Sequence, residues 1–326
     1  MDYKETIKLL DSAKKILIVQ GENLDADSLA SSLALEELLE DQGKSVTMYC
    51  QVTVPTYLGY IEGSDRVTNV FPRDTDLIII VDTASKDLLQ KTLEQPESTQ
   101  FKTKPTIVID HHETEIDFEF ECTKLIDSQA ASTSVVIYDL ATSADWDINS
   151  RVAEYFVQSI MGDTQGLSNA STNTHAIEVV LEMVKLGVNL SELEDRRRSL
   201  MKKSKEILAY KGELINRIDY HLDGQLATIT IPWEEIEEYS HAYNPSMLVI
   251  DEMRMVEGVK IAIAYKTYPN GKILGKIRSN SDTPIAEKLA LEFAGGGHPC
   301  ASGFKIFDET IEETKTKVLK VLGKLL

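Results

Sequence analysis

The chain has 326 residues and a formal net charge of −19, with 34 Lys and Arg residues against 53 Asp and Glu residues. At roughly 150 residues per domain, this length favours about two domains, each with its own hydrophobic core. The acidic balance excludes a long electrostatic footprint on duplex DNA or an anionic membrane, because neutralising many phosphates needs many cations. Small phosphorylated ligands stay compatible with this charge when metal ions supply the positive charge.

Cysteine usage and hydropathy indicate the compartment. Cys50, Cys122 and Cys300 are scattered and form no C-x-x-C pair, which favours neither a disulfide framework nor a zinc ribbon. The first apolar run is too short for a signal peptide, and no segment approaches the roughly 20 apolar residues of a membrane helix. We therefore expect a cytoplasmic protein.

The first 190 residues alternate short β-branched runs with helical patterns, which is typical of βαβ units around a mostly parallel sheet. The predicted strands are Ile16 to Val19, Ser45 to Cys50, Leu77 to Val81, Thr106 to Ile109 and Leu125 to Asp127. The predicted helices are Ser28 to Leu39, Val152 to Met161 and Thr174 to Leu186. The fold class predicted is α/β, with helices flanking the sheet.

A charged stretch from Ser191 to Lys205 lacks a wide apolar face and predicts an exposed helix that joins two domains. Its Arg196-Arg197-Arg198 run is more typical of a solvated helix than of a nucleic-acid contact, with Glu192 and Glu194 as i,i+4 partners of Arg196 and Arg198. We predict a domain at residues 1–190, a helical linker at 191–212 and a smaller α/β domain at 213–326.

The second domain shows strand-like runs separated by turn residues. The predicted strands are Leu226 to Ile231, Leu248 to Ile250, Val259 to Tyr265 and Ile273 to Ile277, with a hairpin turn at Pro269-Asn270-Gly271. Two helices are predicted, at Pro284 to Phe293 and at Glu309 to Leu326.

Acidic residues follow the predicted strands of the first domain. Asp25 and Asp27 come after the first strand, Asp82 after the third, and Asp110-His111-His112 after the fourth. Ligands bind at the carboxyl ends of the strands in such sheets. Unit charges about 4 Å apart repel by about 4 kcal/mol at an effective dielectric constant near 20. The cluster therefore predicts a divalent metal site.

These motifs differ in how well a structural role explains them. A D-x-D sequence after a strand is more often a helix cap, and Asp82 could cap the helix that follows it. The triplet Asp110-His111-His112 serves neither a core nor a solvated surface, and its ligand types suit Mn, Fe or Zn. Asp163 follows an apolar segment and precedes a glycine turn, and it fits as a further acid.

A glycine run, Gly295-Gly296-Gly297, precedes His298 in the second domain. Alone it could be a helix C-cap and loop. Arg278-Ser279, about twenty residues earlier, favours a phosphate cradle, because glycines let backbone N–H groups approach an anion and Arg offers a bidentate fork.

In this order, the motifs resemble the DHH phosphoesterase superfamily over residues 14–305. The resemblance is closer to members with a DHH-associated C-terminal domain, the NrnA-like oligoribonucleases and pAp phosphatases and the RecJ-like nucleases. It implies a catalytic, metal-binding domain at 1–190 and a substrate-binding domain at 213–326. It also implies two divalent ions, preferably manganese with magnesium as the other option, in an active site in the cleft between the domains.

The resemblance implies a role for each matching residue. His112 would contact the scissile phosphate, and Asp110 would support the histidine pair. The implied metal ligands are Asp25, Asp27, Asp82, His111 and Asp163, with Asp82 as the bridge. The implied substrate-binding residues are Arg278, Ser279, Gly296, Gly297 and His298.

Two positions depart from the family pattern. Gly21 stands four residues before Asp25, where the family normally has a His, and the loss of an imidazole is expected to weaken the first metal site. Glu22 is one residue away and could reach a metal by another path. Lys276 replaces a frequent Ser and is expected to alter contacts at the far end of the substrate.

Three functions stay open from the sequence. The first is manganese-dependent hydrolysis of short oligoribonucleotides, linear dinucleotides or 3′-phosphoadenosine 5′-phosphate by a metal-generated hydroxide. The second is nucleotide binding or sensing with impaired catalysis, caused by Gly21. The third is an inorganic pyrophosphatase or polyphosphatase. The expected partners are short RNA or DNA oligonucleotides, dinucleotides or nucleotides, without a membrane, and a homodimer is compatible with the sequence.

Overall fold

The computed structural model describes residues 3–113 and 115–326, and the side chain of His298 lies outside its described part. The chain forms two compact units, Met1–Lys202 and Lys203–Leu326. Their boundary falls inside the range 191–212 that the sequence predicts to join two domains. Over the residues described, none of the helices combines the length and the apolar character needed to cross a membrane.

The first unit contains a sheet of five parallel strands in the order β2-β1-β3-β4-β5. Their bounds are β1 Lys15–Gln20, β2 Ser45–Tyr49, β3 Leu77–Val81, β4 Thr106–Asp110 and β5 Thr123–Ile126. Strands β3 and β4 are buried along their whole length, as their unbroken apolar runs predict for a sheet covered on both faces. The predicted α/β class with a parallel sheet is confirmed.

Helices and loops cover the two faces of this sheet. The helices are α1 Lys4–Ser12, α2 Ala26–Asp41, α3 Gln90–Leu93, α4 Thr133–Ser143, α5 Ser150–Asp163, α6 Thr174–Lys185 and α7 Leu190–Leu200. Along β1, Ile16 and Ile18 pack into the core beneath α2, α4 and α5, whereas Leu17 and Val19 pack into an aromatic cluster on the opposite face. This alternation follows from the two-residue period of a strand.

The linker differs from the single exposed helix predicted at Ser191 to Lys205. Helix α7 ends at Leu200, and a new helix begins after Ser204, whose side chain accepts a hydrogen bond from the Ile207 N–H. Leu193 is buried in the core of the first unit, so α7 packs against that unit along one face.

The arginine run of α7 is partly as predicted. Arg198 pairs with Glu194 at i,i+4. The prediction for Arg196 is wrong: its guanidinium lies 2.6 Å from Glu154 and 3.1 Å from Glu62. Tertiary packing of α7 brings these two acids closer than its helical neighbour.

The second unit has a mixed sheet of six strands in the order β10-β11-β9-β8-β7-β6. Strands β7 and β8 pair in parallel and the other pairs are antiparallel. The strands are β6 Asp219–His221, β7 Leu226–Ile231, β8 Ile261–Thr267, β9 Ile273–Ser279, β10 Gly296–His298 and β11 Ala301–Ile306. The helices are α8 Lys205–Asn216, α9 Trp233–Tyr239, α10 Ile250–Arg254, α11 Ala286–Leu291 and α12 Ile311–Leu325.

One predicted strand of this unit is wrong and one predicted turn is confirmed. The run Leu248 to Ile250 lies at the junction of a 3₁₀ turn, Pro245–Leu248, and α10, and its apolar side chains are buried in the core. Short apolar runs do not distinguish strand from buried helix. The hairpin turn between β8 and β9 is present, with Gly271 at φ 73°.

Candidate metal centre and active site

The acidic residues of the first unit gather at the carboxyl ends of its strands. Asp82 follows β3 directly, and Asp110 is the last residue of β4, with His111 and His112 next. Asp27 lies in the first turn of α2, and Asp163 is the last residue of α5, which packs against α2. Strands and helices far apart in sequence therefore deliver these side chains to one place.

His111 stands at the centre of this cluster. Its Nε2 lies 3.0 Å from Asp163 Oδ2, 3.5 Å from Asp27 Oδ2 and 3.7 Å from Asp82 Oδ1. Its Nδ1 lies 3.2 Å from the Ala130 carbonyl, which can only accept a hydrogen bond. Nδ1 therefore carries the proton in the neutral ring, and Nε2, buried and without a well-aligned hydrogen bond, faces the carboxylates as a metal ligand does.

The electrostatics of the cluster favour a bound cation. Burial, and then the charge of Asp27, raise the pKa of Asp82 well above its ordinary value and that of Asp163 to about 6. Burial opposes the charged form of His111, but Asp163 and Asp27 together raise its pKa to about 9. Carboxylates that repel one another in a buried site are stabilised when a divalent ion binds between them.

The backbone conformation of Asp82 is also typical of a functional site. Asp82 adopts a left-handed conformation with φ 60°, although it is not a glycine, and its N–H donates to the Ile109 carbonyl at 2.9 Å. Such conformations are costly and concentrate at functional sites. The alternative role of Asp82 as a helix cap is wrong, because Ser85 caps the 3₁₀ helix Lys86–Leu89 that follows.

Asp27 is held by donors on both oxygens. Its Oδ2 accepts from the Thr133 N–H at 2.8 Å, and its Oδ1 accepts from the hydroxyls of Ser159 at 2.6 Å and Ser31 at 2.8 Å. The Thr133 hydroxyl also donates to Asp82 Oδ1 at 2.9 Å. Sequence reasoning missed these three residues. The available signal was Ser132-Thr133-Ser134 at the start of a helix that follows β5, at the same edge of the sheet.

Asp110 and His112 form a pair beside the cluster. Asp110 is fully buried, and its Oδ1 accepts from His112 Nδ1 at 2.7 Å and from the backbone N–H groups of His111 and His112. This hydrogen bond is the main cause that raises the pKa of His112. The His112 side chain is 44% exposed, which leaves Nε2 free to contact a ligand.

The carboxylates of Asp25 and Glu22 lie near the cluster but accept hydrogen bonds from backbone N–H groups at helix starts. Asp25 caps α2 by accepting from the Ser28 N–H at 3.0 Å, and it is not among the groups whose ligand atoms lie within 4.8 Å of one another, Asp27-His111-Asp163 and Asp82-His111-His112. Glu22 accepts from the Thr92 N–H at 3.2 Å and from the Lys91 N–H. The sequence leaves Glu22 able to reach a metal, but in the structure its carboxylate is engaged by backbone N–H groups at the start of α3, and it belongs to neither of these two groups.

The glycine run of the second unit forms a strand rather than a loop. Gly296–His298 make up β10, in which Gly297 pairs with Ser302. Gly297 has φ 141°, and a Cβ there would lie 2.6 Å from the Ala301 carbonyl oxygen. Ala301 pairs with Arg278 of β9 on one side and with His298 of β10 on the other. Arg278 and His298 therefore lie at the same register position of the sheet, on either side of Ala301. Ser279 donates its hydroxyl to the Pro299 carbonyl at 3.3 Å.

Three cations lie on one face of β8 and β9. Arg278 and Lys276 pair across with Ala262 and Ala264, and Lys266 is next on that face. Among the described residues, none of the three has a carboxylate within 4.0 Å, and the Asp251 carboxylate nearby binds Arg254. Burial, then Arg278 and Lys266, lower the pKa of Lys276 to about 8. This basic cluster (Lys266, Lys276 and Arg278) fits an anion.

Comparisons with known proteins show which family and which relatives this chain is similar to. Residues 15–160 match the DHH family, N-terminal domain. The chain is 25% identical to the bifunctional oligoribonuclease and PAP phosphatase NrnA of Thermus thermophilus, over 99% of this chain and 95% of that protein. It is 23% identical to the Bacillus subtilis protein of the same name, over 93% and 91%.

Solved structures share the fold. An exopolyphosphatase-related protein from Bacteroides fragilis superposes with a TM-score of 0.85 at 22% identity, over 99% of this chain and 96% of that one. Exonuclease RecJ bound to manganese superposes with a TM-score of 0.57 at 16% identity, over 99% and 94%. The family match and the relatives support a hydrolase of phosphodiester or phosphate substrates. Residues 15–160 thus carry the similarity to the DHH family, N-terminal domain.

Proposed function

We propose that this chain is a divalent-metal-dependent phosphoesterase that hydrolyses short oligoribonucleotides, linear dinucleotides or 3′-phosphoadenosine 5′-phosphate. The observation that carries the proposal is the buried His111 Nε2, which faces the carboxylates of Asp27, Asp82 and Asp163. The names of the NrnA relatives support the substrate class, and the manganese-bound RecJ structure supports manganese as the metal.

The donor set of the cluster suits manganese. Asp27, Asp82, His111 and Asp163 would hold the metal, and carboxylate with imidazole is a ligand set that Mn accepts. Asp82 would be shared by the bound ions, and Asp25, whose Oδ1 accepts from the Ser28 N–H, would join as a ligand through Oδ2. Bound metal would supply a hydroxide near neutral pH and neutralise phosphate oxygens.

The remaining residues of the site would bind and orient the phosphate. His112 would donate from Nε2 to a phosphate oxygen, while Asp110 holds the opposite ring nitrogen and stabilises the imidazolium. Arg278, Ser279, Gly296, Gly297 and His298 would bind the substrate in the second unit. Lys266 and Lys276 would extend this surface, because their charges have no acidic partner among the described residues and a second phosphate would neutralise them.

Manganese-dependent release of mononucleotides from a 5′-labelled dinucleotide tests the proposal. The Asp82→Asn variant should lose at least about 100-fold in kcat, more than changes at residues behind the ligands usually cost. Asp74→Asn is the matched control, because Asp74 is exposed and its ion pair among the residues that the structure describes is with Lys15. Full activity of Asp82→Asn would contradict the metal assignment. Phosphate released from pyrophosphate, but not from nucleotides, would indicate the pyrophosphatase alternative.

A nucleotide-binding relative with impaired catalysis is the second candidate. Two observations favour this candidate. Position 21 is a glycine and supplies no imidazole, and the Asp25 side chain caps α2. Dinucleotide binding by calorimetry in saturating manganese, without turnover, would support it. A Cβ at position 21 would meet Thr83 at 3.5 Å, an ordinary contact. In a Gly21→His variant that keeps the thermal midpoint of the wild type, raised turnover would show that the missing imidazole limits catalysis, and unchanged turnover would show that it does not.

A further inference from the structure

Thr133 is the one described residue that hydrogen-bonds to two carboxylates of the candidate metal centre. Its N–H donates to Asp27 Oδ2 at 2.8 Å, and its hydroxyl donates to Asp82 Oδ1 at 2.9 Å. Asp27 belongs to α2 and Asp82 follows β3, so Thr133 joins two elements that are distant in sequence. It is itself fully buried.

The start of α4 makes this double contact available. Thr133 is the first residue of the helix, where the backbone N–H has no partner within the helix. The N-cap residue Ser132 does not use its side chain for capping; its hydroxyl contacts those of Ser134 and Ser159. The free N–H of Thr133 is therefore satisfied by Asp27, and the side chain then faces Asp82.

The hydroxyl matters because Asp82 has no other described hydrogen-bond donor at its side chain. His111 Nε2 and His112 Nδ1 lie 3.7 Å from Asp82 Oδ1, beyond hydrogen-bond distance. A neutral donor on one oxygen fixes the carboxylate orientation and leaves the other oxygen for a cation.

We propose that Thr133 is a positioning residue, whose hydroxyl sets the orientation of Asp82 relative to Asp27 for metal binding. The inference rests on the proposed function, because it concerns the same metal centre. It extends that function by assigning to α4 a role in metal affinity that does not require contact between Thr133 and the metal.

Thr133→Val is the direct test, because Val has nearly the same shape and keeps the backbone N–H that Asp27 accepts. Calorimetric titration of the metal-free full chain with Mn²⁺ should show affinity reduced about 10–100-fold, the usual effect of changing a residue behind a metal ligand. Activity should recover at high Mn²⁺, since the change acts on metal affinity. Thr133→Ser, which keeps the hydroxyl, should restore wild-type affinity.

Two further variants separate positioning from folding. Thr83→Val removes a buried hydroxyl that has no hydrogen-bond partner, one residue after Asp82, and should bind Mn²⁺ as the wild type does. Thr133→Ala removes the same hydroxyl as Thr133→Val but leaves a smaller side chain. It should show the same reduction of Mn²⁺ affinity. Metal-free Thr133→Val and Thr83→Val should both unfold in a single cooperative thermal transition, which shows that each variant folds.

The outcomes are distinguishable. Wild-type Mn²⁺ affinity in both Thr133→Val and Thr133→Ala, with an active wild-type enzyme, would overturn the inference alone. A wild-type chain that neither binds Mn²⁺ nor releases mononucleotides would overturn the proposed function, and the inference with it.

Discussion

Asp110 and His112 show how a single buried carboxylate prepares a neighbouring group for chemistry. Asp110 is fully buried, and three donors from the two following residues converge on its Oδ1. This geometry fixes the ring of His112 and assigns its proton-bearing nitrogen, as carboxylates behind histidines do in metal sites. These hydrogen bonds fit a role for Asp110 in orienting His112.

We expect Asp110→Asn to lower kcat about 10–100-fold while Mn²⁺ affinity stays near that of the wild type. The amide keeps the size of the side chain but removes the charge that stabilises the His112 imidazolium. Steady-state rates at saturating Mn²⁺, together with calorimetric Mn²⁺ titration, measure the two effects separately. A large loss of Mn²⁺ affinity with unchanged kcat would assign Asp110 to the metal instead.

At the scale of elements, the packing of α5 against α2 decides the distance between Asp163 and Asp27. Gly162 allows this packing, because a Cβ there would lie 2.8 Å from the Cβ of Ala26. Each of these two contact residues directly precedes a carboxylate of the cluster. A separation of the two helices would therefore move Asp163 away from His111.

Gly162→Ala should destabilise the fold by about 1–3 kcal/mol, the usual effect of overpacking a core. It should also weaken Mn²⁺ binding. Gly212→Ala is the matched control, since Gly212 lies within α8 and a Cβ there would have no atom within 4 Å, and it should stabilise by about 0.4–1 kcal/mol. Denaturant unfolding measures both changes. Equal stability of the two variants would show that the α2–α5 contact tolerates a methyl group.

At the scale of the whole molecule, the net charge of −19 affects which phosphorylated ligands can approach the protein. The acidic exterior repels long polyanions, whereas a short substrate presents few phosphates to it. Without metal, Asp163 and His111 have raised pKa values, so the folded chain holds protons that the unfolded chain releases. The free energy of unfolding of the metal-free chain therefore falls as pH rises. The contribution of Asp163 is lost between its ordinary pKa and about pH 6, and that of His111 between its ordinary pKa and about pH 9.

Bound Mn²⁺ should reverse this loss and raise the thermal midpoint, with about 2.7 kcal/mol of stabilisation at a metal concentration about 100 times the dissociation constant. Asp163→Asn should be more stable than the wild type in EDTA at neutral pH, because one repelling carboxylate is gone, and should gain little from Mn²⁺. Thermal unfolding between about pH 5 and 9, with EDTA or with Mn²⁺, provides the measurement. An Asp163→Asn variant less stable than the wild type in EDTA would contradict the repulsion argument.

The sequence by itself determined the α/β class, most of the strand runs and the resemblance to the DHH family, because apolar periodicity and ordered short motifs are local properties of the chain. Leu77–Val81 needed no tertiary information to be predicted as a strand. The same local view could not predict the helix at Ile250, because three apolar residues are buried equally well in either conformation.

Only the tertiary structure decided which of the candidate acids meet. Asp27 and Asp163 come together with His111 because α2 packs on α5, whereas Asp25 and Glu22 find backbone N–H groups nearby and cap helices. The hydroxyls of Thr133 and Ser159 reach Asp82 and Asp27 from elements that are distant along the chain. Such contacts depend on distances across the fold, and a sequence motif specifies residue types and spacing but not those distances.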